Sequence, residues 1–163
     1  MKKELQLKLY EDYPKIFRQK DMSPQETAMC WGIACGDGWY DLLHDLCGEI
    51  QNHCDNVNRR RAYDVEKDGH NLNYDEFICE AVQVKEKFGA LCFYTFGSDD
   101  YIDGLVSMAE AVSSRTCTEC GNKSIKNKAS RGWIHTLCKD CESDRLTDAI
   151  DYRQLKLNFG ERK

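Results

Sequence analysis

From Trp39 to Val57 the apolar positions Trp39, Leu42, Leu43, Leu46, Cys47, Ile50, Cys54 and Val57 recur at close to 3.6-residue spacing. That period places them on one face of an α-helix. Asp37 stands ahead of the run as a cap, so the helix is predicted to begin at Gly38. An earlier helix is predicted from Pro24 to about Ala34. Ser23 is its cap, Pro24 its first helical position, and Glu26 falls three residues after the cap. Cys35-Gly36-Asp37-Gly38 would then join two antiparallel or crossed helices. The first residues fit two patterns. Leu5, Leu7 and Leu9 alternate as in a strand, whereas Tyr10, Tyr13 and Phe17 suit helical turns, and Pro14 interrupts either.

Residues 58–75 are polar and read as a loop, with room for a short strand at 61–65. Residues 80–87 and 90–96 read as a hairpin turning at Phe88-Gly89, because Val82 and Val84 alternate with polar residues and Leu91-Cys92-Phe93-Tyr94-Thr95-Phe96 is rich in strand formers. Ser98-Asp99-Asp100 caps a further helix with Ile102, Leu105, Val106, Ala109 and Val112 on one face. Ser143 or Asp144 caps a last one carrying Leu146, Ala149, Ile150 and Leu157. The expected class is α+β: helices packed on a small antiparallel sheet of about three strands. A body over 1–115, a cysteine ribbon over 116–142 and a C-terminal helix and tail over 143–163 complete the plan. No proline follows residue 24 and no low-complexity tether separates the parts, so the ribbon is expected to dock on the body.

Chemistry enters with Cys117-Thr118-Glu119-Cys120 and Cys138-Lys139-Asp140-Cys141. These two Cys-x-x-Cys knuckles are separated by the 17 residues 121–137. Each knuckle aims two thiolates at one point, and four soft ligands in a tetrahedron suit Zn2+. Cys117, Cys120, Cys138 and Cys141 are therefore the expected ligands of one structural zinc, with Gly121 placed where the knuckle needs a positive φ. The chain has no apolar run long enough to cross a bilayer and its first residues lack a signal-peptide core, so a cytoplasmic protein is expected. In that compartment ten cysteines read as thiols or metal ligands. Cys30, Cys35, His44, Cys47, His53 and Cys54 form a second candidate metal cluster. Cysteine packing on the apolar face is the competing reading.

Cys35-Gly36-Asp37-Gly38-Trp39, Val84-Lys85-Glu86-Lys87-Phe88-Gly89-Ala90-Leu91, Ala109-Glu110 and Gly132-Trp133 with Thr136-Leu137-Cys138 together give the chain a family look. Over roughly residues 28–142 it resembles a group of small uncharacterised proteins found in phages, prophages and bacterial genomes. The resemblance implies a viral or mobile-element accessory function directed at a host pathway, acting in the host cytoplasm. It implies no catalytic residues.

Net charge is −5, which argues against a general nucleic-acid coat, but the charge is uneven. Residues 21–58 carry seven acidic side chains and no Lys or Arg, while 116–163 carry ten Lys or Arg against seven Asp or Glu. Lys123, Lys126, Lys128, Arg131 and Lys139 cluster with Trp133 and His135 on the ribbon, a set that can grip phosphate and stack on a base. Packing of Trp133 on the body with solvated lysines is the alternative. Arg59, Arg60 and Arg61 make a second basic spot. Gly36, Asp37, Gly38 and Trp39 allow a close approach by a ligand or by a neighbouring helix. Asp99, Asp100 and Asp103 could hold a divalent ion or cap a helix. No nucleophile elbow, P-loop or dinucleotide fingerprint occurs. The leading expectation is a non-enzymatic zinc-ribbon binding protein that engages a host protein or nucleic acid. A binder of a small anionic nucleotide signal comes next, and a metal-dependent hydrolase third.

Overall fold

The computed structural model describes residues 1–67, 75–128 and 134–144. Its elements in order are α1 (Lys3–Asp12), β1 (Ile33–Ala34), α2 (Tyr40–Lys67), β2 (Glu80–Lys87), β3 (Ala90–Phe96), α3 (Asp100–Ser113), β4 (Ile125–Lys128) and β5 (Ile134–Leu137). Short 3-10 turns lie at Arg18–Asp21, Met29–Trp31 and Asp37–Trp39. The chain is α+β, as the sequence predicts.

The leucines at 5, 7 and 9 belong to a helix. Leu9 is buried and Leu7 is exposed, so the side chains follow helical turns despite their alternation. The predicted helix from Pro24 does not form. Its capping pair does: Ser23 Oγ lies 2.7 Å from Glu26 Oε2, and the Glu26 and Thr27 amides donate to Ser23 O. The turn then stops, because the Thr27 hydroxyl accepts from the Met29 amide and donates to Val82 O, which draws the chain onto the sheet. Gly32, at φ 77°, turns it into β1.

The helix predicted from Gly38 begins at Tyr40 and runs to Lys67, through the stretch read as a loop and short strand. The apolar stripe ends at Val57, but Arg59-Arg60-Arg61-Ala62 and Glu66-Lys67 are good helix formers and carry it on.

The predicted hairpin has the expected bounds and pairs Val84 with Phe93 and Lys87 with Ala90. The sheet is mixed and not purely antiparallel, because β1 runs parallel to β2 with Ile33 beside Val84. A register shift between Ala81 and Gln83 frees the Val82 carbonyl that Thr27 uses.

Helices α2 and α3 cover one face of this sheet. Leu43, Leu46, Cys47 and Ile50 of α2, Ile102 and Ala109 of α3, and Val84, Leu91 and Phe93 of the strands share one apolar cluster with Leu9, Phe17 and Trp39. The outer edge of β3 is closed by α3. The Leu91 amide donates to Ser113 Oγ at 2.8 Å and the Phe93 amide to Glu110 Oε1 at 3.1 Å. Among the described residues no helix is long and apolar enough to cross a membrane.

Candidate metal centre

Two arms converge after α3. The first leaves the helix at Thr116, whose hydroxyl donates to Val112 O, and forms an isolated bridge between Thr116 and Lys123. Between them the knuckle folds back on itself. The Cys117 amide donates to Asn122 O at 2.7 Å and the Gly121 amide to Cys117 O at 2.9 Å, with Gly121 at φ 78°. The second arm is β5, paired antiparallel with β4, which delivers Cys138. Residues 139–144 are helical, with the Glu142 amide on Cys138 O, so Cys141 returns one turn later to the side of Cys138. The last helix therefore starts earlier than its predicted cap. Ser143 donates to Lys139 O from inside the turn. The predicted helical positions Leu146, Ala149, Ile150 and Leu157 lie outside the described residues. The Thr118 amide on Thr136 O at 2.9 Å ties the two arms together.

The four thiols of Cys117, Cys120, Cys138 and Cys141 lie within 4.8 Å of one another. Cys120 Sγ and Cys138 Sγ are 3.6 Å apart. A tetrahedron with metal–sulfur bonds of about 2.3 Å has edges of about 3.8 Å, so the cluster fits one ion. Disulfide sulfurs would stand about 2.05 Å apart, and all ten cysteines are free. Cys117 is fully buried and Cys120 is exposed. Burial by itself would push the Cys117 thiol up, but the amides of Cys138, Cys120 and Glu119 aim at its sulfur and bring it down to about 7. Cys120 and Cys141 shift in the opposite sense. The Cys141 thiol donates to the Cys120 and Cys138 sulfurs, which pushes it up. One thiolate is thus favoured by the fold alone, and further thiolates crowded beside it need a cation.

Among the described residues the cysteine unit touches the body beside Gly36–Trp39 and at the β2–β3 turn. At the first, a Cβ on Gly36 would come 1.9 Å from Thr118 O, and one on Gly38 would come 2.4 Å from Cys117 O and 2.6 Å from the Cys120 amide nitrogen. The Gly38 amide donates to Thr118 O at 3.0 Å, and the buried Trp39 indole donates to Thr116 O at 2.9 Å. At the second, Phe88 and Gly89 turn the β2–β3 hairpin with φ of 54° and 73°, and Thr136 Oγ1 donates to Gly89 O at 2.5 Å. The close approach expected at Gly36 and Gly38 is thus made by the knuckle's own backbone, and not by a second helix. Asp37 caps no helix of its own. Its carboxylate accepts from the Lys2 amide at 2.7 Å, at the start of α1.

The other candidates are dispersed. Lys123 is exposed, Lys126 and Lys128 stand on β4 opposite Thr136 and Ile134, and Arg131 and Trp133 lie outside the described residues. Arg59, Arg60 and Arg61 are exposed on α2 and not in a loop. Successive positions there are rotated by about 100°, so the three do not share one face. Arg61 donates to Asp75 O and sits 5.6 Å from the Phe77 ring.

Asp99 caps α3 by accepting from the Ile102 amide and pairs with His53 Nε2 at 2.7 Å. His44 contacts Tyr13 and Asp12. Cys35, Cys47 and Cys54 are core residues, and burial pushes the Cys35 thiol up to about 12. Among the described residues only Cys117, Cys120, Cys138 and Cys141 bring three or more potential ligands together. Compared with known protein families, curated proteins and solved structures, the chain matches none.

Proposed function

We propose that the chain is a non-enzymatic binding module in which Cys117, Cys120, Cys138 and Cys141 hold one structural Zn2+. The observation that carries this is the convergence of four thiols within 4.8 Å on two arms already tied by backbone hydrogen bonds. Tetrahedral four-sulfur sites suit zinc, and four thiolates close the coordination sphere, leaving no open position for water or substrate. The ion's role is then to fold residues 116–142 as a ribbon and keep them against Gly36–Trp39. Exposed Lys123 and Lys139 stand among exposed Glu119, Asp140 and Asp144, so the anionic-partner reading rests on the basic excess of the sequence over 116–163. A nucleic acid is the partner this favours, and a host protein is the second. The phage-type resemblance of the sequence gives this reading a setting and adds no support to it.

The test is metal analysis with native mass spectrometry on freshly purified protein. One zinc per chain is expected, and Cys117→Ser or Cys138→Ser should abolish it and lower the melting temperature. Unchanged melting in both variants, or a purified chain without metal that takes up no zinc, contradicts the reading.

A further inference from the structure

From the solvent side of the hairpin we infer a docking surface for single-stranded nucleic acid, at the sheet and away from the cysteine ligands. This rests on the proposed binding role and names its partner and place. Helices α2 and α3 take the inner face, where Val84, Leu91 and Phe93 are buried. The outer face shows Lys85 and Lys87 on β2 and Tyr94 and Phe96 on β3, by the two-residue alternation of each strand.

Tyr94 is 45% exposed, Phe96 68% and Phe88, at the hairpin tip, 65%. Large aromatic rings left in water along one strand forfeit the burial that would stabilise them elsewhere in the fold. Tyr94 and Phe96 are two residues apart, so their rings leave the strand about 6.7 Å from each other and offer separate faces to successive bases. The lysines supply the charge. Lys85 Nζ lies 5.5 Å from the centre of the Tyr94 ring and Lys87 Nζ 5.4 Å from that of Phe88. Among the described residues neither lysine has a carboxylate partner.

Lysines beside Tyr94 and Phe88, with the exposed Phe96 ring next along β3, match a polymer whose bases alternate with phosphates. A peptide strand added at the sheet edge fits less well. Two of the β3 amides it would need, those of Leu91 and Phe93, already donate to Ser113 and Glu110. Duplex nucleic acid keeps its base faces stacked inside the helix and cannot use the rings.

The experiment uses the full chain, zinc-loaded, in fluorescence anisotropy with a labelled oligothymidylate of about 12 nucleotides, its oligouridylate counterpart and a duplex of the same length. Single strands should bind, and the duplex more weakly. Tyr94→Ala and Phe96→Ala should each weaken single-strand binding by about 5- to 150-fold, while Tyr94→Phe keeps it. Lys85→Ser and Lys87→Ser should each lower the steepness of the salt dependence by about 0.7. Lys87, Tyr94 and Phe96 are exposed and Lys85 is half-buried on the same outer face, so melting should stay close to that of the parent chain, and melting of each variant checks this. No single-strand binding, equal binding of duplex, or binding indifferent to both rings overturns the inference. Zinc content read on the same samples keeps the two readings apart. One zinc without single-strand binding contradicts the surface alone. Ring-dependent binding by a chain that holds no zinc supports the surface and contradicts the metal centre.

Discussion

In the body, buried side chains from Leu9 to Ala109 close into one apolar cluster fed by α1, the sheet, α2 and α3. In the cysteine unit the described buried side chains are Cys117, Thr118, Ser124, Thr136 and Leu137, most of them polar or metal-ligating. The body can be held by burial alone. The described residues of the unit bury too little apolar surface to offset the entropy of ordering its loops. On the proposed reading its stability comes from the ion and from its contacts with Gly36–Trp39 and Gly89. One chain therefore joins two different sources of stability, and they meet at a backbone contact that glycine makes possible.

The sharpest way to separate the two regions is to remove a ligand. Cys117→Ser or a strong chelator should take away a contribution on the order of 10 kcal/mol to the unit's folding. The helical signal of α2 and α3 should survive. If circular dichroism instead shows the whole chain unfolding in the same step, the division into two regions fails.

Trp39 belongs to both regions, through its buried ring and its bond to Thr116 O. Trp39→Ala should cost about 3–5 kcal/mol in denaturant unfolding and weaken zinc retention as well. A loss of body stability with zinc retention untouched would mean that the indole bond to Thr116 does not couple the regions.

Gly38→Ala places a methyl against the knuckle backbone. It should cost about 1–3 kcal/mol, read as faster zinc loss to a chelator at unchanged α2 helicity. A neutral effect would contradict the close packing there.

The smallest effect tests the body by itself. Burial would raise the Asp99 carboxyl, but the His53 hydrogen bond and the Ile102 amide outweigh it and hold it below the ordinary value. Asp99→Ala should cost about 1 kcal/mol near neutral pH. A depressed folded pKa means this stabilisation is present above the usual carboxylate pKa of about 4. It should fade as pH falls through the lowered folded value, so parent and variant converge in acid. A difference that stays constant down to the acid transition would remove Asp99 from that role.

The hairpin was legible because its apolar alternation and its Phe88-Gly89 turn point to the same register. The cysteine ligands were legible because their spacing alone fixes what they can reach. The helix expected from Pro24 misled because its capping signal is local and real, as the Ser23–Glu26 contacts show, while the bond from Thr27 to Val82 spans 55 residues. The extension of α2 to Lys67 was missed because periodicity reports a buried face, and a helix that leaves the core has none. The role of Gly36 and Gly38 was hidden for a related reason. A glycine signals that something comes close, and only the fold shows that the visitor is the knuckle.

The most direct measurement is hydrogen exchange read by mass spectrometry on the zinc-loaded chain, with and without a chelator. The account predicts one zinc per chain. It also predicts that chelation removes protection from the amides of Cys117, Thr118 and Gly121 while those of Leu91 and Phe93 stay slow. Exchange that is the same in both conditions, on a chain that neither carries nor binds zinc, would contradict it.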